Sequence, residues 1–463
     1  MIIYSCHGAA KQVTGSCHLL ECNEQRVLID CGLIQGSRTA EQANREDFGF
    51  DPASIDAVLL THAHLDHCGR LPLLVKRGFR GRILATAATR ELAHVVLLDA
   101  AGLQEEDARR AQGRQRNGEA VEPPLYTVQD ARQVMDLFAD DVVYGETIQV
   151  APGITARFLD AGHILGSASI LIEVDDGSLQ RRLVFSGDLG NPNRPIVRDP
   201  MPAPAADYVI MESTYGDRPH RSVPDSVEEL YQAIRETTGR HGNVIIPTFA
   251  LERTQEILYY LHIGIRTGAV PGHLRIFLDS PMAISATEIF RRHPECFDLD
   301  FVGELEHGDP FDMPGLHFTR ETSESMAINT IQSGAVILAG SGMCNGGRVR
   351  HHLKHNLWRE RCSIVFVGYA AEGTPARRIV DGAESVRLFN SDVPVRAQVW
   401  TINGFSAHAG QPSLIDWLGD APRRKVFLVH GEVDRGMGRL HDVLTERGFS
   451  CQLPGMHEPI KID

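Results

Sequence analysis

No apolar run in this chain approaches the roughly 20 residues that a helix needs to cross a bilayer, which excludes a helical membrane protein and points to a soluble one. A secretory leader is missing as well: the N-terminal MIIYSCHGAAKQVTG has no basic stretch followed by an apolar core. Nine cysteines occur, yet they form no CxxC pair and no regular framework, so reduced thiols and a cytoplasmic location are expected. Basic charge is not in excess either. Lys and Arg number 46 against 60 Asp and Glu, and the net charge of −14 excludes a protein that coats nucleic acid without specificity, because neutralising phosphates takes surplus cations. A local basic groove stays compatible with this balance. What is present is globular material, 43% hydrophobic and 23% charged over 463 residues, enough for two or three domains with cores of their own.

One pattern recurs along the chain. A short apolar run of strand length ends in an acid or a histidine at Arg26–Asp30, at Ala57–Thr61 before His62, at Leu183–Asp188, at Tyr208–Glu212 and at Lys425–His430. Continuous apolar runs this short read as buried strands. Polar side chains at the same end of several strands can converge on a point, and layered α/β folds place their sites there. A single Asp after a strand is an ordinary turn or cap residue. Five polar strand ends together point to a site.

The densest cluster is THAHLDHCG at 61–69, three histidines and an aspartate within six positions, a donor set suited to metal. His62 and His64 are two apart and face one way in an extended segment, whereas Asp66 and His67 sit where Cys68 onward is expected to open a helix. That division suits two metals close together, one taking His62 and His64, the other Asp66 and His67. His163, in a glycine-flanked turn between two strand-like runs, supplies a further ligand. Asp188 can bridge both ions with its two oxygens, and His430 completes the second. Asp30 ends its strand beside them and is expected to hold a ligand histidine from behind rather than bind metal itself. Such donors suit zinc and also accept manganese or iron. No cysteine is needed, although Cys68 adjoins His67.

HxHxDH at 62–67 with His163, Asp188 and His430 resembles the metallo-β-lactamase fold, and the match is closer to its β-CASP branch, the nucleases related to the cleavage and polyadenylation specificity factor endonuclease and to ribonuclease J. Glu212 in ESTYG, His408 in FSAHAG and His430 in VHGE match the branch's motifs A, B and C. TFALERTQE, LDSPMA, GSGMCNGGR and GYAAEGTPARR resemble segments of its inserted domain. The resemblance covers nearly the whole chain. It implies an α/β protein, an αββα metallo-β-lactamase sandwich with an inserted doubly wound α/β β-CASP domain, carrying two zinc ions. It also implies a catalytic set of Asp66, Asp188, Glu212 and His408, in which His408 contacts the scissile phosphate and protonates the leaving oxygen. The chemistry is reasonable, since a carboxylate on one imidazole nitrogen raises the pKa and readies the other nitrogen to donate.

The stretch between Glu212 and His408 holds roughly 195 residues, a domain rather than a loop. Within it a strand, a polar or glycine turn and a helix repeat four times, beginning at Asn243, Leu274, Ala335 and Ser363, as in a doubly wound fold. Residues 1–208 and 396–463 are therefore expected to form the metallo-β-lactamase domain and 209–395 the insert. Turns that enter helix N-termini offer free N–H groups to phosphates. From Ser341 to Val380, seven Arg or Lys stand against two acids, in a protein acidic elsewhere. Ser341, Gly342, Arg348, Arg350, Arg377 and Arg378 are the expected substrate-binding residues on that wall. The charge-rich segment Gln104–Gly118 is expected to be a solvated helix.

The resemblance implies hydrolysis of phosphodiester bonds in single-stranded RNA by a metal-activated hydroxide, with endonuclease and exonuclease action both open. DNA nucleases of the branch typically carry Val at motif C, where this chain has His430, which favours RNA. A thioester or lactam hydrolase would share the metal site but has no use for so large an insert. Every ligand position is filled, unlike the inactive subunits of the branch. The chain begins in the metallo-β-lactamase fold and ends about thirty residues after His430, so it is expected to be a compact stand-alone prokaryotic form, with a homodimer left open.

Overall fold

The expected apolar runs fold as strands in the computed structural model, which describes residues 1–36, 38–114, 122–139 and 141–463. Ten described strands precede the insert: β1 (Ile2–Gly8), β2 (Cys17–Cys22), β3 (Gln25–Ile29), β4 (Ala57–Leu59), β5 (Arg82–Leu84), β6 (Thr147–Ala151), β7 (Ile154–Asp160), β8 (Ala168–Asp175), β9 (Gln180–Phe185) and β10 (Tyr208–Glu212). Eight lie within it: β11 (Val244–Pro247), β12 (Arg275–Leu278), β13 (Leu316–Phe318), β14 (Ala335–Ala339), β15 (Ser363–Phe366), β16 (Ser385–Leu388), β17 (Ser391–Pro394) and β18 (Gln398–Thr401). Three follow: β19 (Lys425–Val429), β20 (Cys451–Gln452) and β21 (Pro459–Ile462).

The chain divides into two units, Met1–Pro219 with His408–Asp463, and His220–Ala407. In the first, a six-stranded sheet ordered β21-β1-β2-β3-β4-β5 and a seven-stranded sheet ordered β20-β19-β10-β9-β8-β7-β6 share one core. Alternation decides which side chains enter it. Tyr208, Ile210, Phe427 and Val429 point into the core between the sheets, whereas Val209, Met211, Val426 and Leu428 face the helices Gln411–Leu418 and Gly438–Glu446 on the other side. The result is the αββα layering.

The second unit is built on a parallel sheet ordered β13-β12-β14-β11-β15-β18, which winds outward from β11 in both directions, plus the hairpin β16-β17. The boundaries differ from the expected 209–395 by about a dozen residues at each end. At the start, β10 hydrogen-bonds to β9 and β19 and so belongs to the first unit. At the end, β18 pairs with β15 and stays with the second.

Local chemistry also moves one helix. Where a helix from Cys68 is expected, the chain forms two short ones, Leu65–Cys68 and Leu71–Lys76. Pro72 lacks an N–H and is tolerated only in a first turn, so the helix restarts there. The helix Ala87–Arg114 takes up the first part of the Gln104–Gly118 segment, and residues 115–121 lie outside the described residues. Among the described residues no helix is long and apolar enough to cross a membrane.

Candidate metal centre

The polar strand ends of the first unit do converge. Asp30 follows β3, Glu212 ends β10, His430 follows β19, and His62, His163 and Asp188 sit a few residues past β4, β7 and β9. Two glycines let their loops pack this tightly. A Cβ at Gly190 would stand 1.6 Å from the carbonyl oxygen of Gly162, beside His163, and one at Gly32 would stand 1.6 Å from that of Asp66.

Among the described residues the donor atoms fall into three groups: His62, His64, His163 and Asp188; Asp66, His67 and His430; and Asp188, Glu212 and His408. In the first, His62 Nε2 and His163 Nε2 each lie 3.1 Å from His64 Nδ1, and 3.5 and 3.6 Å from Asp188 Oδ2. In the second, His430 Nε2 is 3.3 Å from His67 Nε2 and 3.4 Å from Asp66 Oδ2, while Asp188 Oδ1 is 3.2 Å from His67 and 3.6 Å from His430. Four ligands at about 2.0–2.1 Å around a tetrahedral ion stand roughly 3.3–3.4 Å from one another. The separations in the first two groups lie near that spacing, and Asp188 approaches the second group through Oδ1, so the residues fit divalent metal.

The proton positions agree. His67 Nδ1 lies 2.7 Å from Asp30 Oδ2 and donates to it, which turns the Nε2 lone pair to the site. Thr61 donates its backbone N–H and its hydroxyl to Asp30, and its Oγ1, 3.1 Å from His62 Nδ1, accepts from that ring. Thr214 Oγ1 stands 3.1 Å from both His430 Nδ1 and His430 O, accepting from the ring and donating to the carbonyl. With Nδ1 of His62, His67 and His430 engaged from behind, their Nε2 atoms face inward, the arrangement in which imidazoles ligate metal.

Electrostatics lead to the same conclusion. Burial pushes His62 well below its ordinary pKa and His64 down to about 4, favouring neutral, ligating rings. Burial would lower His67 too, but Asp188 and Asp30 outweigh it and raise that ring well above its usual value. Asp188 is held well below the carboxylate range, because His430, His67, His408 and His62 overcome its desolvation. Its Oδ1 is nevertheless buried without a hydrogen-bond partner. Buried carboxylates that draw positive charge from every side, with one oxygen left unbonded, suit metal ions.

Beside this centre, His408 Nδ1 lies 3.3 Å from Glu212 Oε1 and 3.8 Å from Asp188 Oδ2. Burial alone would lower the pKa of His408; the charges of Glu212 and Asp188 overcome it and lift it to about 9. Glu212 is fixed in turn by the backbone N–H of Leu189, 2.7 Å from Oε1. Sequence reasoning missed three supporting residues: Thr61, Thr214 and Asn191. Thr61 and Thr214 flank the conspicuous residues of THAHLDH and ESTYG, and Asn191 stands three positions after Asp188 in GDLGN. A hydroxyl or amide that holds a ligand from behind has no spacing signature of its own.

The expected substrate-binding residues all fall in the second unit and do not behave alike. Arg348 turns inward, donating to Asp279 Oδ1 at 2.7 Å and to the carbonyl oxygens of Thr319 and Arg320. This departs from the expected surface role, because the buried Asp279 carboxylate requires a counter-charge. Arg377 pairs with Asp381 across one helical turn. Arg378 is exposed, and Arg350 lies against Phe389. Ser341 Oγ faces the Gly346 N–H across its own loop, and Gly342 leaves room for the ring of Phe249, 3.0 Å from where a Cβ would stand.

Residues 10–248 match the metallo-beta-lactamase superfamily, 254–379 the Beta-Casp domain, and 392–454 the Zn-dependent metallo-hydrolase RNA specificity domain. A Thermus thermophilus protein named as a ribonuclease is 41% identical, over 98% of this chain and 99% of its own. An RNase J-like protein of Methanocaldococcus jannaschii is 30% identical over 93% of each chain. The transcription termination factor FttA of the same organism is 31% identical over 92% of this chain, which spans 66% of that factor's length. A crystal structure of a protein of unknown function from Enterococcus faecalis V583 shares the fold, with a TM-score of 0.56, 11% identity and 99% of each chain covered. The chain belongs to the metallo-β-lactamase superfamily, in the branch whose metallo-hydrolase domain carries an inserted Beta-Casp domain.

Proposed function

We propose that this protein is a metal-dependent ribonuclease that hydrolyses phosphodiester bonds of single-stranded RNA. The observation that carries the reading is the pair of neighbouring donor groups, His62, His64, His163 and Asp188 beside Asp66, His67 and His430, with the Glu212–His408 pair at their edge. The close relationship to a protein named as a ribonuclease, along both full lengths, supports RNA as the substrate.

His62, His64, His163 and Asp188 would hold one cation, and Asp66, His67, His430 and Asp188 the other, zinc being the ion that this donor set and spacing suit best. Bound there, two cations supply a hydroxide near neutral pH and neutralise charge building on phosphorus. The chain's own residues do the rest. His408 carries a proton on the side of the site away from Glu212, and its raised pKa keeps that proton in place at neutral pH for delivery to the leaving oxygen. Glu212 holds the ring through Nδ1, so Nε2 is the atom that donates. Once cations offset the charge of Asp188, Glu212 remains as the group that sustains the imidazolium. Asp30, Thr61 and Thr214 keep the ligand rings oriented between turnovers.

The test is incubation of the zinc-loaded protein with a labelled linear RNA and a circular RNA of the same sequence, with Asp188→Ala as the contamination control and bound metal counted by elemental analysis. Cutting of the circle by the unmodified protein alone establishes endonuclease action. Loss of the linear strand alone establishes an exonuclease. If neither RNA is cut while DNA is, the substrate assignment is overturned.

A further inference from the structure

The outer face of the helix Val349–Asn356 carries Arg350, His351, Lys354 and His355, and its inner face buries Val349, His352 and Leu353. Three of the outward residues gather on one aromatic ring. The Arg350 guanidinium lies 4.6 Å and the Lys354 ammonium 5.8 Å from the centre of Phe389, and the His351 ring is 4.6 Å away. Just past the helix, Trp358 is 52% exposed; Phe389 is 38% exposed.

We propose that Phe389, Trp358 and the cations Arg350 and Lys354 form a stacking platform for single-stranded RNA on the second unit. The proposal rests on the reading of RNA as substrate and extends it to how the strand is held.

Four observations carry it. Phe389 occupies the two-residue turn of the β16-β17 hairpin with φ of +58°, a place normally filled by Asn or Gly, so an aromatic is kept there at a conformational cost. Neither ring is buried in the core, Trp358 being 52% and Phe389 38% exposed, and their exposed parts can stack on bases. Among the described residues no carboxylate pairs with Arg350 or Lys354, whereas Arg348 and Arg377 are held by acids. In a chain of net charge −14, unneutralised cations around exposed rings complement a polyanion with aromatic faces. Trp358 stands just after the helix C-cap Leu357, four residues on from Lys354. Paired bases already stack on each other and hide their faces, so the platform selects single strands.

The experiment is fluorescence anisotropy of the metal-loaded full-length protein with a labelled 20-nucleotide phosphorothioate oligouridylate, which resists cleavage. Phe389→Ala and Trp358→Ala should each weaken binding about tenfold, whereas Phe389→Tyr and Trp358→Phe should stay within about twofold of the unmodified protein. Arg350→Gln should lower the slope of log affinity against log salt by about 0.7, the value for one phosphate contact to a single strand. Alanine variants that bind as the unmodified protein does, while it binds and cleaves RNA, overturn the platform and leave the ribonuclease reading standing. Aromatic variants that lose binding as far as the alanine ones, with a lowered unfolding midpoint, also overturn it, since the rings are then structural. An unmodified protein that neither binds nor cleaves RNA overturns both.

Discussion

Asn191 clamps the backbone just after His408 with two hydrogen bonds. Its side-chain amide donates to the carbonyl oxygen of His408 at 2.6 Å, and its own oxygen accepts from the Gly410 N–H at 3.0 Å. A general acid must sit within a few tenths of an ångström of the oxygen it protonates, so fixing the backbone at His408 positions the acid.

Asn191→Ala should therefore lower kcat about 10- to 100-fold on RNA while metal content stays at the level of the unmodified protein. Steady-state kinetics with elemental analysis checks this; a fall in kcat that tracks lost metal would assign Asn191 to the metal loops instead.

His408→Ala is expected to keep both metal ions and lose about 10²- to 10⁴-fold in rate, the usual contribution of one acid–base group. Full activity in a fully metallated variant would remove His408 from the mechanism. Glu212→Gln should act in the same direction by weakening the hold on the imidazolium, and should shift the alkaline limb of the kcat profile to lower pH.

Asp30 touches no expected metal position and holds His67 at 2.7 Å. Asp30→Asn should weaken one of the two metals by about 10- to 100-fold, leaving the other near its original affinity. Competition with a calibrated chelator would show this as a split of one binding step into two; a uniform loss of both ions would mean a collapsed site.

Removing metal should destabilise the first unit more than the second. Asp66 and Asp188 would then face each other and their neighbours without cations, and ligand that binds only the folded state stabilises it by mass action. Calorimetry before and after chelation should show the unfolding midpoint falling, with recovery on adding zinc.

In the second unit, Asp279 is fully buried between His352 Nε2 at 2.6 Å and Arg348 Nη1 at 2.7 Å. Desolvation would raise its pKa, but hydrogen bonds from His352, Ser325, Arg348 and Thr319 prevail and lower it to about 2. A depressed carboxylate pKa contributes stability that is complete above the ordinary value near 4 and is lost as pH falls towards 2. Asp279→Ala should cost about 3–5 kcal/mol by leaving the Arg348 guanidinium and the buried His352 ring unpaired. Denaturant unfolding of the variant near neutral pH, beside an acid titration of the unmodified protein, would check both.

The candidate donor set was legible because metal chemistry demands particular donors in a tight order. His62, His64, Asp66 and His67 announce themselves within six residues, and His163, Asp188 and His430 follow strand-like runs whose ends converge. The alternation in β10 and β19 likewise follows from a period of two, which sorts each side chain to one face of a sheet. Other features depended on long-range contacts. Nothing near Arg348 in the chain says that Asp279 lies in wait for it, so an arginine expected on the RNA-binding wall became the partly buried counter-ion of a buried carboxylate. Phe389 carried no signal until a hairpin turn brought it over Arg350, and Asn191 none until its loop met that of His408. By itself, the sequence determined the donor types, the strand periodicity and the large insert, all of which are local patterns. Only the tertiary structure decided which hydroxyls and amides stand behind the ligands and which cations remain unneutralised, because those outcomes belong to pairs of residues far apart in the chain.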